Sequence, residues 1–169
     1  YQIAGIDLSP AKKPLVCGRL ARRLSHHALT TFGDYYRFLT QDASQDELQV
    51  TVDLLTTNET YFFREPAHFA FLKQRILAAG VRPGRSFRVW SAACSSGEEA
   101  YSIAMVLADH RGDAPWDVIG SDISARVLVK ARAGYYSMER TDGLPRRYLE
   151  QYCLKGIDSQ AGTLLIDRK

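Results

Sequence analysis

The 169-residue sequence lacks any apolar run close to the roughly 20 residues that a helix needs to cross a bilayer. We also expect no secretory leader, because the first ten residues contain an acid and no basic start. Cysteine is scarce: Cys17, Cys94 and Cys153 match neither a zinc pattern nor a CxxC pair, and an odd number argues against a disulfide framework. We therefore expect free thiols in a cytoplasmic protein, without membrane insertion or a metal site.

The sequence also lacks a strong excess of either charge, since 22 lysines and arginines against 19 acids leave a net charge of +3. The first 40 residues are uneven, with two acids, Asp7 and Asp34, against six basic residues, namely Lys12, Lys13, Arg19, Arg22, Arg23 and Arg37. A basic amino-terminal face indicates an acidic partner, although a solvated helix face gives the same pattern. Nothing resembles a nucleic-acid-binding module, so we expect no nucleic acid partner.

Apolar residues at helical spacing predict two or three helices over residues 12–56. Another helix is expected from Glu65-Pro66 to about Gly80, because proline is tolerated in the first turn of a helix. Residues 81–85 are predicted to form a turn. These elements together indicate a helical amino-terminal domain and linker, which we place in residues 1–80.

Strands and helices then alternate, which predicts an α/β domain from residue 81 to residue 169. The strands are expected at 87–90, with Trp90 in the core, and at 116–120, and the helices at 98–110 and from about 124 to before Gly134. This order implies a parallel sheet with right-handed crossovers. Because parallel sheets are buried on both faces, two strands are not expected to stand alone. We therefore expect an incomplete α/β domain.

Small residues fill the loop 91–97, Ser-Ala-Ala-Cys-Ser-Ser-Gly, between the first strand and the next helix. Such a loop lets a ligand approach the backbone and the free N–H groups of the helix start. Asp122 follows the second strand, where a carboxylate can accept both hydroxyls of a ribose. One loop glycine does not decide between NAD and S-adenosylmethionine (SAM). Structural alternatives are a capping box of Ser96 and Glu99 and a helix cap at Asp122.

Four segments carry a more specific signal. They are 58–65 (Asn-Glu-Thr-Tyr-Phe-Phe-Arg-Glu), 88–104 (Arg-Val-Trp-Ser-Ala-Ala-Cys-Ser-Ser-Gly-Glu-Glu-Ala-Tyr-Ser-Ile-Ala), 120–124 and 131–136. In this order they resemble the CheR-type chemotaxis receptor glutamate O-methyltransferases, over roughly residues 10–160. The resemblance implies a helical domain followed by a Rossmann-like class I SAM methyltransferase domain. That domain would carry an antiparallel subdomain, whose start we expect near residues 157–169.

The resemblance also implies a reaction, in which a methyl group passes from SAM to glutamate side chains of chemoreceptors. The products would be glutamyl methyl esters and S-adenosyl-L-homocysteine. Carried over by motif position, the cofactor-binding residues would be Asn58, Thr60, Arg64, Ala93, Glu99 and Asp122. Arg64 is also the catalytic candidate, since its guanidinium can hold a carboxylate. The sequence departs from the commonest family pattern at Ala93, where many members have glycine, and at Ala100, where many have proline.

A glutamate-rich receptor helix would be the acidic partner of the basic amino-terminal helix, so we assign receptor docking to Arg19, Arg22 and Arg23. Three alternatives stay open: a SAM-binding signalling module without transferase activity, an NAD-linked oxidoreductase, and a basic helical interaction module. The later strands of a SAM domain are absent from the sequence. An isolated chain is therefore expected to bind SAM weakly and be inactive, or to dimerise by exchange of elements.

Overall fold

The computed structural model describes residues 4–41, 45–80 and 85–168. Contacts divide the chain into two compact units. The first, which we call the helical unit, comprises Tyr1–Thr57 with Ile123–Ala125. The second, the α/β unit, comprises Asn58–Asp122 with Arg126–Lys169.

The helical unit contains three α-helices that follow a 3₁₀ turn at Pro10–Lys12. They are α1 (Lys13–His26), α2 (Phe32–Gln41) and α3 (Gln45–Leu55). Their apolar faces meet in a small core of buried Leu20, Leu24 and Tyr35. The predicted helical region at the amino terminus is thereby confirmed.

The α/β unit begins with an irregular segment, and strands and helices follow in alternation. The elements are α4 (Pro66–Ala79), β1 (Phe87–Ala92), α5 (Glu98–Arg111), β2 (Trp116–Ser121) and α6 (Ala125–Ala133). β1 and β2 pair in parallel, with Trp90 opposite Ile119. The predicted α/β order with two parallel strands is confirmed, as is the helical region before it.

Helix α4 packs against α5 within the α/β unit, whereas the sequence analysis grouped it with the helical domain of residues 1–80. Its buried side chains Phe69 and Ile76 belong to the core of the α/β unit. Periodicity predicts that a segment is helical, but it does not predict which element the apolar face of the helix contacts. For this reason the sequence grouped α4 with the helical domain, whereas its contacts place it in the α/β unit. The turn predicted at residues 81–85 falls, except for Arg85, outside the described residues.

The two faces of the parallel sheet differ in burial. Val89 and Val118 face the core, which α4 and α5 complete. Trp90 and Ile119 lie on the opposite face and are 68% and 50% exposed. The prediction that Trp90 lies in the core is wrong, because the helices of the described chain cover only the face that carries the valines.

A second, antiparallel sheet has the strand order β3-β5-β4. Its strands are β3 (Tyr135–Ser137), β4 (Cys153–Lys155) and β5 (Thr163–Ile166), and α7 (Arg146–Tyr152) precedes β4. Tyr136 and Leu164 point into the core and are almost fully buried. The antiparallel part therefore starts at β3, earlier in the chain than the expected region near residues 157–169.

Over the described ranges, no helix is both long and apolar enough to cross a membrane. The cysteines Cys17, Cys94 and Cys153 are free thiols. No group of three or more histidine, cysteine, aspartate or glutamate residues within the described residues is arranged to hold a metal ion.

Candidate cofactor-binding site

The loop between β1 and α5 has an unusual backbone. Ala93, Ser95 and Gly97 have positive φ angles of 61°, 50° and 99°. Such conformations cost a residue other than glycine about 1–3 kcal/mol, so the surroundings must hold the loop in place. The Cys94 amide donates to the carbonyl of Ser121 at 2.9 Å, and the Gly97 amide donates to the carbonyl of Cys94 at 2.9 Å. The loop is therefore fixed to the end of β2.

Asp122 follows β2 directly and contacts the same loop. Its carboxylate accepts a hydrogen bond from the Ser95 amide at 2.9 Å. Since β1 and β2 are parallel, their carboxyl ends lie at one edge of the sheet, where α/β proteins bind ligands. The structure thus brings together the loop 91–97 and Asp122, the acid expected to bind the ribose. If Asp122 only capped the next helix, it would not need this contact with the loop.

Glu99 does not form the capping box that Ser96 and Glu99 suggested. The N-cap of α5 is Gly97, which has no side chain and therefore makes no side-chain capping hydrogen bond. The Glu99 carboxylate instead accepts from the Ser91 hydroxyl at 2.6 Å, and Ser96 donates to Glu98 at 2.7 Å. The half-buried Glu99 side chain is therefore positioned beside the end of β1.

Glu98 is a site residue that the sequence reasoning missed. Its side chain is fully buried, and one carboxylate oxygen lies 3.3 Å from a guanidinium nitrogen of Arg140. The other carboxylate oxygen accepts from Ser96 of the loop at 2.7 Å. The sequence signal that could have identified Glu98 is the pair of consecutive acids, Glu98 and Glu99, at the start of a helix. If one of these carboxylates is buried, it needs a polar or charged partner, and such a group of residues marks a candidate site.

Tyr136 and Ala131 lie close to the loop 91–97 and restrict its position. The buried Tyr136 hydroxyl donates to the carbonyl of Ser96 at 2.7 Å. Burial, followed by the charge of Glu98, raises the pKa of Tyr136, so the phenol stays a donor at neutral pH. A Cβ added at Gly97 would lie 2.9 Å from the Tyr136 hydroxyl and 3.0 Å from the Cα of Ala131. β3 and α6 therefore support the loop closely.

Acidic groups dominate the electrostatics of the loop. Burial raises the pKa of the Cys94 thiol, and the charges of Asp122, Glu99 and Glu98 raise it further. A buried, protonated thiol is a poor nucleophile. The same negative environment suits a positively charged sulfonium cofactor and opposes a pyrophosphate, which a dinucleotide would place at this helix start. The residues present therefore fit SAM better than NAD.

The segment 58–65 runs beside the loop. The Ser95 hydroxyl donates to the carbonyl of Asn58 at 3.3 Å. Arg140 donates to the carbonyl of Thr60 at 3.3 Å and also faces Glu98. Two of the expected cofactor residues, Asn58 and Thr60, are thus half-buried next to groups that hold the loop.

Two phenylalanines anchor this segment in the core. Phe62 is fully buried and packs edge-on against Tyr136, with ring centroids 5.0 Å apart. Phe63 stacks on Tyr148 at 5.2 Å, and its amide donates to the Ser102 hydroxyl at 3.0 Å. The neighbouring polar residues of the segment are therefore attached to a rigid part of the unit.

Arg64 is exposed and lies at the end of this anchored segment. Its guanidinium donates to the carbonyl of Glu59 at 2.9 Å and lies 5.9 Å from the centroid of the Tyr61 ring. An ion pair with Glu65 or Glu99 would give Arg64 a structural role instead of a catalytic one. Within the residues that the structure describes, Arg64 forms no ion pair with either acid.

The three arginines assigned to receptor docking lie on α1 but differ in their contacts. Arg19 donates to the carbonyls of Leu55 and Thr56 at 2.9 and 3.1 Å. Arg23 forms an ion pair with the buried Glu47. Arg22 is exposed. Docking stays a prediction for all three, but the structure shows internal partners for Arg19 and Arg23.

Comparisons with known proteins agree with these features. The model of the CheR methyltransferase SAM binding domain matches residues 58–165, and that of the CheR methyltransferase all-alpha domain matches residues 1–56. The two matches meet at the division between the units. The resemblance found in the sequence, and SAM as the cofactor that it implies, are confirmed.

Curated relatives carry the same name. The chain is 45% identical to a chemotaxis protein methyltransferase of Escherichia coli (strain K12) and 43% identical to one of Salmonella typhimurium, each over 98% of the chain and 57% of the relative. It is 40% identical to chemotaxis protein methyltransferase 2 of Pseudomonas aeruginosa, over 96% of the chain and 58% of that relative. The chain thus spans somewhat more than half the length of these relatives. It belongs to the CheR methyltransferase family.

Proposed function

We propose that the chain binds SAM at the loop 91–97 and takes part in transferring its methyl group to glutamate side chains of chemoreceptors, forming glutamyl methyl esters during chemotaxis adaptation. The observation that carries the proposal is the group of acids, Glu98, Glu99 and Asp122, around a small-residue loop at the ends of two parallel strands. The names of the relatives support methyl transfer in chemotaxis. A cytoplasmic location is part of the proposal.

Each residue of the site has a binding role in this proposal. SAM, when bound, supplies a methyl group on a positively charged sulfur. Asp122 would accept hydrogen bonds from the ribose, and Glu99 would accept a further bond from the cofactor. Asn58, Thr60 and the exposed Ala93 would line the pocket. These side chains would orient the cofactor so that the incoming carboxylate approaches in line, which accounts for much of the rate of such reactions.

The reaction needs no general base. A glutamate side chain with a normal pKa near 4.3 is already ionised at pH 7. Arg64 would hold this carboxylate through charge-assisted hydrogen bonds. Its contact with the carbonyl of Glu59 uses one of the five N–H donors of a guanidinium, so others remain for a substrate.

Calorimetric titration of SAM tests the binding site. We expect Asp122→Asn to weaken SAM binding by about 10- to 100-fold, because a hydrogen bond to a charged group contributes about 1.5–3 kcal/mol. The amide oxygen of asparagine can still accept from the Ser95 amide, so the loop should keep its shape. Asp117→Asn, at an exposed acid on β2, the strand that leads to Asp122, is the matched control and should bind SAM normally. Equal SAM affinity in both variants would refute the site.

Transfer of tritiated methyl groups to a receptor fragment tests the role of Arg64. Arg64→Ala should reduce methyl transfer far more than it reduces SAM affinity, because the side chain would hold the substrate carboxylate. Arg132→Ala, at an exposed arginine of the same unit, should change neither. Comparable losses of transfer and SAM affinity would count against the role. Tight SAM binding by the parent chain with no methyl transfer would favour the alternative, a SAM-binding signalling module.

Receptor docking is proposed for the exposed Arg22. Arg22→Glu should slow receptor methylation at low salt without changing SAM affinity, since surface charges mainly steer association. Reversing Arg23 is a poor test, because Arg23 pairs with the buried Glu47 inside the helical unit. An unchanged methylation rate for Arg22→Glu at low ionic strength would exclude docking through this side chain.

A further inference from the structure

Arg140 contacts two separate parts of the candidate cofactor site. It ends a short 3₁₀ turn, Met138–Arg140, that follows β3 in the α/β unit. One nitrogen of its guanidinium, Nη2, lies 3.3 Å from the carboxylate of Glu98. The same nitrogen donates to the carbonyl of Thr60 at 3.3 Å. A single side chain therefore joins the first residue of α5 to the segment 58–65.

Glu98 extends this contact to the loop 91–97. Its second carboxylate oxygen accepts from the Ser96 hydroxyl at 2.7 Å. The Glu98 side chain has no exposed surface, so its charge must be stabilised by groups of the protein. Among the residues that are described, Arg140 is the one basic side chain that forms an ion pair with it. The position of the loop is thereby linked to Arg140.

The backbone that carries Arg140 is held against the segment 58–65. The side chain of Met138 packs against the core of the α/β unit. On the other side of Arg140, a Cβ added at Gly143 would collide with the carbonyl oxygen of Phe62. The chain around Arg140 thus packs directly on the buried part of the segment. Because this backbone is already ordered, less entropy is lost when the guanidinium makes its contacts.

The polar part of the segment is attached to the loop and to Arg140 through its backbone. The carbonyl of Asn58 accepts from the Ser95 hydroxyl at 3.3 Å, and the carbonyl of Thr60 accepts from Arg140 at the same distance. These bonds fix the backbone of two residues whose side chains are expected to line the cofactor pocket. They leave those side chains available for a ligand.

We propose that Arg140 is a positioning residue of the cofactor site. The inference rests on the proposed function, because it concerns the affinity for SAM at the loop 91–97. Arg140 acts without touching SAM: it compensates the charge of Glu98 and holds Thr60 beside the loop. SAM then meets a pocket that is already ordered, and binding loses less free energy to ordering the segment.

Calorimetric titration of SAM into Arg140→Met tests the proposal. SAM affinity should fall about three- to tenfold, since water partly screens an ion pair with a half-exposed arginine. The matched control is Arg147→Met, which removes the ion pair of an exposed arginine with Asp109 near the other end of α5. This control should bind SAM normally. Normal SAM affinity in Arg140→Met, or an equal loss in both folded variants, would overturn the proposal.

A double-variant cycle tests whether Arg140 acts through Glu98. Glu98→Gln removes the charge but keeps an oxygen that can accept from Ser96. Combined with Arg140→Met, it should weaken SAM binding by less than the product of the two single losses, because the two side chains interact directly. Arg140→Lys keeps the positive charge and should bind SAM more tightly than Arg140→Met. A combined loss equal to the product, or no recovery with lysine, would contradict the role of the ion pair.

Hydrogen exchange without SAM measures the order of the site itself. The amides of residues 58–65 and 91–97 should exchange faster in Arg140→Met than in the parent chain or in Arg147→Met. Faster exchange with normal SAM affinity would reduce Arg140 to a stabilising residue and overturn the positioning role. If the parent chain does not bind SAM, the proposed function fails and the positioning role fails with it. If the parent binds SAM and Arg140→Met binds it equally well, the positioning role alone fails.

Discussion

The helical unit and the α/β unit each bury a glutamate, but they satisfy it differently. Glu47 in the helical unit accepts from Arg23 at 2.9 Å and from Tyr35 at 2.6 Å, and His27 lies 3.1 Å away. Glu98 in the α/β unit accepts from Ser96 through one carboxylate oxygen. Its other oxygen has no hydrogen bond within the described part of the chain, and its partner there is an ion pair at 3.3 Å with the half-exposed Arg140. A fully satisfied buried charge holds helices together, whereas a partly satisfied one beside a strained loop is typical of a ligand site.

The two carboxylates also differ in what surrounds them electrostatically. Burial raises the pKa of Glu47, but the hydrogen bonds from Arg23, Tyr35 and His27 outweigh it and lower the pKa to about 2. Around the loop of the α/β unit, by contrast, the charges of Glu98, Glu99 and Asp122 add to burial in raising the pKa of Cys94. The helical unit compensates the negative charge of Glu47 with its own side chains. The loop of the α/β unit keeps an excess of negative charge, which a positively charged ligand would compensate.

The largest predicted effect concerns the closed network of the helical unit. Glu47→Gln leaves the partly buried Arg23 without its counter-charge, and breaking such a pair typically costs about 3–5 kcal/mol. We expect the low end of this range, because the Arg23 side chain is 21% exposed. Hydrogen exchange of the α1–α3 amides should therefore become much faster.

Two comparisons make the Glu47 test specific. Asp34→Asn removes the exposed pair with Arg37 and should leave exchange nearly unchanged, since surface pairs contribute little. Both tryptophans, Trp90 and Trp116, lie in the α/β unit, so their fluorescence reports that unit separately. Unaltered exchange in Glu47→Gln would show that the network does not stabilise the helices.

The same network predicts sensitivity to acid. The folded pKa of Glu47, about 2, lies below the ordinary value of 4.5, so its contribution to stability is complete above pH 4.5 and is lost as the pH falls toward 2. A difference of this size corresponds to about 3 kcal/mol. Urea unfolding followed by circular dichroism at several pH values measures it. The pH dependence should shrink in Glu47→Gln, and an equal dependence in both proteins would contradict the assignment.

Local patterns predicted much of the fold. Apolar spacing gave the helices and both parallel strands, and proline and glycine marked their ends. Two features escaped because they depend on packing. β3 and β4 are three residues long, too short for an alternating pattern. Trp90 was expected in the core because it is a large apolar residue, although its strand shares that face with Arg88 and the helices cover only the other face of the sheet.

The site was predicted in part for a related reason. The loop 91–97 and Asp122 follow directly from the strand order, since parallel strands end at one edge. The hydrogen bond from Tyr136 to Ser96, however, joins residues 40 positions apart, and Arg23 pairs with a glutamate 24 positions away. A sequence shows that a side chain is charged but not which partner it finds, and for this reason Arg23 looked available for docking.

A smaller effect is predicted for Gly97→Ala in the loop of the α/β unit. An added Cβ would lie 2.9 Å from the Tyr136 hydroxyl and 3.0 Å from Ala131, at a φ of 99°. Strain of this kind costs about 1–3 kcal/mol, and it should also weaken SAM binding by displacing the loop. Urea unfolding followed by tryptophan fluorescence, together with calorimetry, measures both effects. Normal stability with normal SAM affinity would show that the loop tolerates a side chain.

The smallest effect is predicted for the matching change in the helical unit, Gly18→Ala in α1. Gly18 lies within the helix, and no atom lies within 4 Å of an added Cβ. Alanine should therefore stabilise α1 by up to about 1 kcal/mol, because glycine is the poorer helix former. Slower amide exchange in α1 with unchanged SAM affinity is the expected result. Destabilisation would mean that α1 needs the flexibility of glycine, and the contrast with the closely packed Gly97 would then fail.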